Sequence, residues 1–417
     1  MYLKKYINTI KTEPLVFFIG SCVIMLAVMG TSVRHVSSTV FGIFVLLGFS
    51  VIKDWAKLYL SLPKLEKMFL LAFFLYMVSG LLSYFNVDDV DKYFKVFERY
   101  LRFALIIPVY LFIIKKQASL LNYVYFGAVL SGPFLIIIAL RHYMEFPEAP
   151  AQGYYHHIIF GQLAMLNVGI MLALLLSRDF SQNVRALILV SMVCGLVTAV
   201  MSQARGVWLV FPVYVLIAAY FSIKTKRLSI RNVVSILIVA ALLLIATPIG
   251  DLIKQRTEVA AMEVNNFYTE NEYISSVGTR LAMWDIAIDV WQKSPMLGTG
   301  PGDFDDEVVA LKKEGAYAGM PVHNSVHNIY IQALVGSGVV GLIALILVVL
   351  IMPLKIFFNK EQHDRDGSLA GFITVVSFAI FGFSESWTLR LSAVSVFLVY
   401  LIVIASHLKI VNSKSNI

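Results

Sequence analysis

Residues 323–341, HNSVHNIYIQALVGSGVVG, put two histidines directly before a long apolar run that contains three glycines. A long apolar run is typical of a membrane helix, and the small glycines would let this helix pack closely against its neighbours. The stretch therefore predicts a polar site at the rim of a membrane helix, beginning at His327 and Asn328. A histidine at such a boundary can take up or release a proton near neutral pH.

The composition of the whole chain is typical of a polytopic membrane protein. Of the 417 residues, 59% are hydrophobic and 14% are charged, and the mean hydropathy is +0.79. Soluble domains are about 45–50% apolar and about 25% charged. The formal net charge of +8 is spread between apolar runs, so membrane topology explains it better than nucleic-acid binding does. Cys22 and Cys194 lie inside apolar runs, which predicts buried thiols and no disulfide framework.

Apolar runs that approach the ~20 residues of a transmembrane helix occur about twelve times, and they predict an all-α polytopic fold. The candidate spans lie near residues 15–30, 37–52, 68–85, 100–114, 120–141, 158–177, 186–201, 207–223, 232–250, 332–354, 369–386 and 391–408. The chain then divides into residues 1–250 with helices 1 to 9, a polar loop at 251–326, and residues 327–417 with helices 10 to 12.

The basic residues predict that both termini are cytoplasmic. With twelve spans in this orientation, the cytoplasmic segments hold more than half of the 34 lysines and arginines but few of the 26 acidic residues. The polar loop at 251–326 is then on the outer side, where it is too long for a plain connection. We expect it to form a helical cap, with Leu281, Trp284, Ile288 and Trp291 on the face that packs against the membrane helices.

Arg205 is a candidate anion ligand. It lies in MSQARGVW, between two apolar runs, where an ionisable residue is a functional candidate. Its flanking residues are Gln203 and Gly206, and the glycine would let a head group approach the backbone. The alternative is an arginine that snorkels to the membrane interface.

Arg280 is the second candidate anion ligand. It stands at the start of a loop helix for which Thr279 or Ser276 is the expected N-cap. A base at this end is disfavoured by the helix dipole. Binding of phosphate by the guanidinium together with free amides of the first turn would explain its presence. The alternative is a plain surface arginine.

His327 is a candidate general base that would deprotonate a hydroxyl group. The alternative is a hydrogen-bonded interfacial histidine, and His323 competes with it because it is also followed by asparagine. His156 and His157 are expected to lie at the interface and not to bind a substrate.

The carboxylates at residues 303–307 are expected to form a solvated acidic face, because consecutive helical residues point in different directions. Glu385 would pair with a site arginine or with Arg390. The sequence has no P-loop, GxSxG or HExxH motif. We therefore predict a reaction that uses no metal, no cofactor and no ATP.

The motif around His327 resembles that of the lipopolysaccharide O-antigen ligases. His327-Asn328, nine residues, and then Gly338-x-x-Gly341 match His-[Asn/Ser/Gln]-x9-Gly-x-x-[Gly/Thr/Tyr]. This spacing favours His327 over His323. The segments GTRLAMW, GDF and ARG at 204–206 resemble parts of the wider O-antigen ligase/polymerase superfamily.

The resemblance implies a GT-C-like fold and an inverting glycosyl transfer at the periplasmic face of the bacterial inner membrane. The donor would be a polysaccharide on undecaprenyl pyrophosphate, and the acceptor would be a sugar hydroxyl of the lipid A-core. Both would arrive through the membrane lipids, and no nucleic acid is involved. His327 would be the base and Arg205 and Arg280 would bind the pyrophosphate, while Asn328, Gln203 and His323 would contact substrate.

Two other functions stay open at this stage. An O-antigen polymerase would use the same donor but another lipid-linked repeat as acceptor. A transporter of lipid-linked sugars is a different class, and such proteins usually contain internal repeats. We find no repeat in this sequence.

Overall fold

The computed structural model describes residues 13–87, 89–224, 248–315, 317, 320–359 and 364–415. All regular secondary structure in these ranges is helical, which confirms the predicted all-α membrane class. The helices up to residue 201 are α1 (Pro14–Met29), α2 (Val36–Phe49), α3 (Trp55–Ser61), α4 (Lys64–Leu82), α5 (Val90–Lys115), α6 (Leu121–Glu145), α7 (His157–Ser177) and α8 (Gln182–Met201). The later helices are α9 (Arg205–Trp208), α10 (Val210–Lys224), α11 (Pro248–Glu270), α12 (Ser276–Lys293), α13 (Phe304–Lys313), α14 (Ile329–Ile346), α15 (Met352–Phe357), α16 (Arg365–Phe381) and α17 (Leu391–Ser415).

The number of membrane spans is tested only in part. Seven helical segments of the described ranges are long and apolar enough to cross a membrane, and an eighth is obtained by joining α2 to residues 52–61 across a 56° bend. Eleven of the twelve predicted spans coincide with described helices. The remaining one, 232–250, lies mostly outside the described residues. A total of twelve, and the three-part division built on it, stay predictions.

Two helices, α7 and α17, form the centre of the bundle and are almost completely buried. Asn167 of α7 is buried there, and its side-chain amide donates to the carbonyl of Ala27 at 2.9 Å. It also accepts a hydrogen bond from the Tyr400 hydroxyl at 2.9 Å. A buried polar side chain needs such partners because apolar surroundings offer no water. Asn167 therefore links α1, α7 and α17.

Helices α11 to α13 form a separate small hydrophobic core that joins the bundle at α14. Met283 and Ile286 of α12 are buried in it, together with Phe304 of α13 and Val335 of α14. Because Val335 belongs to this core, the core attaches the segment to a membrane helix. We use "cap" below for residues 251–326.

The buried face of α12 differs from the predicted one. The residues that are fully buried are Ala282, Met283, Ile286, Ala287 and Val290, whereas Ile288 is 47% exposed. The prediction followed the largest apolar side chains. Trp284 and Trp291 instead lie at the edge of the buried face, because each indole N–H needs an acceptor. The N–H of Trp284 donates to the carbonyl of Val326, and that of Trp291 donates to the carbonyl of Pro295, both at 3.0 Å.

Candidate active site

His327 and Glu385 form a hydrogen-bonded pair. The Nδ1 atom of His327 lies 2.9 Å from Oε2 of Glu385. The histidine side chain is 17% exposed and the carboxylate is 1% exposed. With the carboxylate ionised, Nδ1 carries the proton and Nε2 becomes the basic nitrogen. This tautomer is the one that a general base requires.

The charge state of Glu385 follows from its surroundings. Burial raises the pKa of Glu385, but the hydrogen bond and charge of His327 lower it, and the charge of Arg390 lowers it further. The net result is a pKa of about 2. Glu385 is therefore ionised at neutral pH although it is almost fully buried.

The loop at 382–390, between α16 and α17, is held by Trp387. This indole is fully buried, and its N–H donates to the carbonyl of Phe378 at 2.9 Å. The rings of Phe378 and Phe397 pack against it, with centroids 5.0 Å away in both cases. The loop is thereby fixed to both neighbouring helices, and Glu385 with it.

Asn328 is the N-cap of α14. Its side-chain oxygen accepts hydrogen bonds from the backbone N–H groups of Tyr330 at 2.9 Å and Ile331 at 3.2 Å. Its own N–H donates to the hydroxyl of Ser386 at 3.1 Å. The asparagine thus starts the helix and ties it to the loop of Glu385. Contact with substrate stays a prediction for Asn328.

Arg205 begins α9 after a tight reversal at residues 202–204. Gln203 has a φ of +52° in this reversal, and both it and Arg205 are exposed. Gly206 faces the loop of Glu385, and a Cβ at this position would overlap the side chain of Ser384. The absence of a side chain at Gly206 therefore makes room for Ser384, and the approach of a head group to this backbone stays a prediction.

Arg280 is electrostatically coupled to the same site. Burial lowers the pKa of Arg280, and the charge of Arg205 lowers it further, whereas the carboxylates of Glu385 and Glu263 act in the opposite direction. The charges of Arg205 and Glu385 thus both reach Arg280, although the three residues come from distant parts of the chain.

The start of α12 differs from the prediction. Ser275 is the N-cap, since its hydroxyl accepts from the N–H of Gly278 at 3.0 Å. The N–H of Val277 donates to the carboxylate of Glu263 at 3.0 Å. Thr279 instead donates its hydroxyl to a backbone carbonyl. The amides of Val277 and Gly278 are thus engaged and are not free for phosphate, and binding of an anion by the guanidinium of Arg280 stays a prediction.

Two further histidines adjoin the pair. The rings of His323 and His327 are 5.9 Å apart, and burial followed by the charge of His327 lowers the pKa of His323. Burial of the ring, followed by the charge of His157, lowers the pKa of His156 to about 4. The charge of Glu385 raises this pKa and that of His327 lowers it. Sequence reasoning treated His156 as interfacial. Its position before an apolar run, on the same predicted side as His327, is the signal that could have included it.

Gly338 breaks α14 and lets the cap dock on it. Its φ is +65°, and a Cβ there would overlap the backbone of Met296. The N–H of Val339 donates to the carbonyl of Pro295 at 2.9 Å. The N–H of Val340 donates to the carbonyl of Met296 at 3.3 Å. The motif glycine thus replaces helical hydrogen bonds with bonds to the Pro/Gly-rich turn of the cap.

The acidic residues at 303–307 are mostly ion-paired, where a solvated face was predicted. Lys92 of α5 lies 2.6 Å from Asp306 and 3.3 Å from Asp305. Lys293 lies 2.6 Å from Glu307. These pairs fasten α13 to the N-terminal end of α5 and to α12. Within the described ranges, no cluster of histidine, cysteine and acidic residues has the arrangement of a metal site.

Residues 190–346 match the family model described as O-antigen ligase. This match supports membership of the O-antigen ligase/polymerase superfamily. The matched segment contains Arg205, Arg280, His327 and Gly338, whereas Glu385 lies beyond its end. The chain is also 26% identical over 340 residues to a protein of Haemophilus influenzae described as uncharacterized, which covers 78% of this chain and 81% of the relative.

Proposed function

We propose that this protein transfers a polysaccharide from undecaprenyl pyrophosphate to a sugar hydroxyl of the lipid A-core, at the periplasmic face of the inner membrane. The observation that supports the proposal is the His327–Glu385 hydrogen bond, together with the charge effects of Arg205 and Glu385 on Arg280. An O-antigen ligase needs both an anion site for its leaving group and a base for its acceptor. We assign the first role to Arg205 and Arg280 and the second to His327.

The two arginines would stabilise the leaving group. In the reaction, the bond between the anomeric carbon and the pyrophosphate oxygen breaks, and its electron pair stays on the pyrophosphate. Guanidinium groups bind phosphate oxygens bidentately and carry a permanent positive charge. They are therefore suited to the charge that develops in the transition state, in the absence of a metal ion.

His327 would activate the acceptor. Its Nε2 atom takes the proton of the sugar hydroxyl while the oxygen forms a bond to the anomeric carbon. The carboxylate of Glu385 holds the ring by Nδ1 and stabilises the imidazolium that forms. A direct displacement of this kind inverts the anomeric centre and requires no covalent intermediate.

The test is reconstitution of the full chain in liposomes with a lipid-linked donor and purified lipid A-core. Arg205→Ala, Arg280→Ala and His327→Ala should each lower the rate of transfer by ~100-fold or more. The control is Arg141→Ala, since Arg141 is 76% exposed and pairs with a neighbour on its own helix.

Each outcome of this assay has a clear meaning. Retained transfer in His327→Ala would refute the general-base role, and retained transfer in both arginine variants would refute the anion site. If the wild-type protein lengthens the lipid-linked donor and leaves the lipid A-core unmodified, it is a polymerase and not a ligase. Movement of labelled donor across the bilayer without any glycosyl product would identify a transporter.

A further inference from the structure

A second group of arginines, Arg99, Arg102 and Arg390, lies near Glu385. Arg99 of α5 donates its Nε–H to the carbonyl of Leu389 at 3.2 Å. The next residue, Arg390, has its Nε atom 3.4 Å from Oε1 of Glu385. Burial lowers the pKa of Arg99, the charge of Glu98 raises it, and the charges of Arg102 and Arg390 lower it further. The two oxygens of Glu385 therefore face different groups, the imidazole of His327 and the guanidinium of Arg390.

Arg102 is the structural member of this group. It is buried, and its guanidinium donates to Ser395 at 2.6 Å and to Ser38 at 3.3 Å. It also forms an ion pair with Glu98 at 2.9 Å and lies over the ring of Phe41. These contacts satisfy Arg102, and the charge of Glu98 also acts on Arg99, so one carboxylate is shared between two guanidinium groups.

The charges of the described residues at this place do not balance. There are three guanidinium groups, those of Arg99, Arg102 and Arg390, but only two carboxylates of described residues near them, those of Glu98 and Glu385. Glu385 also forms a hydrogen bond with His327. Like charges that are held close together in a partly buried place destabilise each other. An anion that binds between Arg99 and Arg390 would remove this repulsion.

We propose that Arg99 and Arg390 bind a phosphate group of the acceptor lipid, as an anion site separate from that of Arg205 and Arg280. This inference rests on the proposed function, because it assigns the first arginine pair to the pyrophosphate of the donor. A displacement reaction brings the nucleophile and the leaving group to opposite sides of the anomeric carbon. Arg390 contacts one oxygen of Glu385 and His327 contacts the other, so an acceptor phosphate held by Arg390 would keep the acceptor lipid beside the base that takes the proton of its hydroxyl.

The rigidity of the site supports this arrangement. Arg390 ends the loop that Trp387 anchors, and its own N–H donates to the carbonyl of Trp387 at 2.9 Å. Arg99 is fixed to the same loop through Leu389. Both guanidinium groups are thus positioned before any ligand arrives, which lowers the entropic cost of binding.

Binding is measured without turnover, on the full-length protein in nanodiscs, with three probes: the phosphorylated acceptor glycolipid, the same glycolipid after enzymatic dephosphorylation, and undecaprenyl pyrophosphate. Arg99→Gln and Arg390→Gln should each weaken binding of the phosphorylated acceptor by about tenfold. Binding of undecaprenyl pyrophosphate should be unchanged. The wild-type protein should bind the dephosphorylated acceptor as weakly as the variants bind the phosphorylated one, and Arg99→Lys should restore part of the affinity.

Three results would overturn the proposal. If the variants lose affinity for undecaprenyl pyrophosphate and not for the acceptor, the site serves the donor. If they bind every probe as the wild type does, or like the control Arg141→Gln, the arginines are structural. If phosphatidylglycerol vesicles displace the acceptor at equal concentration, the occupant is an anionic phospholipid. A wild-type protein that binds the phosphorylated acceptor but forms no product would refute the proposed ligase and leave the anion site supported.

Discussion

The carboxylate of Glu385 joins groups that are far apart in the chain. Its partner His327 is 58 residues away, and its other partner, Arg390, is five residues away. A buried carboxylate with such partners fixes the orientation of the imidazole and stabilises its protonated form. We therefore expect Glu385 to act as a positioning residue for His327.

Replacing Glu385 by glutamine keeps the shape of the side chain but removes its charge. The amide can donate to Nδ1, which would leave His327 in the wrong tautomer. We expect kcat for transfer to fall by ~10²–10⁴-fold, with KM for both lipids nearly unchanged. The matched control is Glu145→Gln, which removes an exposed carboxylate. A wild-type kcat in Glu385→Gln would contradict the positioning role.

The same pair makes stability dependent on pH. The pKa of Glu385 in the folded protein, about 2, is lower than its ordinary value of 4.5. The stabilising effect of the ionised carboxylate is therefore complete above pH 4.5 and disappears as the pH falls towards 2. The temperature at the midpoint of thermal unfolding of the wild type in detergent should decrease as the pH is lowered from 4.5 towards 2. The midpoint of Glu385→Gln should change less, and parallel curves would show that the pair does not stabilise the fold.

The three principal site residues were available from the sequence, but their partners were not. His327 and Arg205 stand out because each is a polar residue at the edge of an apolar run, and Arg280 because a base is disfavoured at the start of a helix. The sequence did not decide which residue pairs with Glu385, because distance along the chain does not tell which loops meet at the end of a helix bundle. Whether these residues catalyse the reaction stays a prediction.

Helix α14 depends on Gly338 for its contact with the cap. Gly338→Ala would place a Cβ against the backbone of Met296 at a φ of +65°. We expect a loss of ~1–3 kcal/mol in stability and a reduced transfer rate. Gly42→Ala is the control, since a Cβ there has open space around it, and it should leave both quantities unchanged or raise stability slightly. Equal behaviour of the two variants would contradict the docking of the cap through Gly338.

The approach of α9 to the loop of Glu385 can be tested by a pair of substitutions. Gly206→Ala should push Arg205 away from the site, and we expect a ~10–100-fold lower kcat. Ser384→Gly removes the overlapping atoms and leaves Ser384 Cα at 3.7 Å from the new methyl group. The double variant should therefore recover most of the activity. A double variant as poor as Gly206→Ala would mean that this contact does not set the position of Arg205.

The sequence predicts the elements better than their faces. The positions of the described helices agree with the predicted spans, because a long apolar run has few other stable structures in a membrane. The predicted buried face of α12 was wrong because the prediction gave large apolar side chains more weight than small ones. Ala282 and Ala287 are fully buried because they let two elements approach closely, and size alone does not reveal that.

The orientation of the whole molecule is a prediction from its charge distribution. After replacement of Cys22 and Cys194 by alanine, single cysteines can be introduced at the exposed positions Glu270 and Ser61. A membrane-impermeant maleimide should label Glu270→Cys in intact spheroplasts, because the cap is expected outside. Ser61→Cys should react only after permeabilisation. The opposite pattern would invert the topology and move the candidate site to the cytoplasm.

Docking of residues 295–299 on the broken turn of α14 restricts how substrates reach His327. Lifting the cap would leave the N–H groups of Val339 and Val340 without acceptors near the bilayer, where each unpaired group costs several kcal/mol. We expect the cap to behave as a fixed roof and not as a hinged lid. Lipid substrates would then slide in sideways between the helices, with their lipid tails still in the bilayer and their sugar chains trailing into the aqueous space.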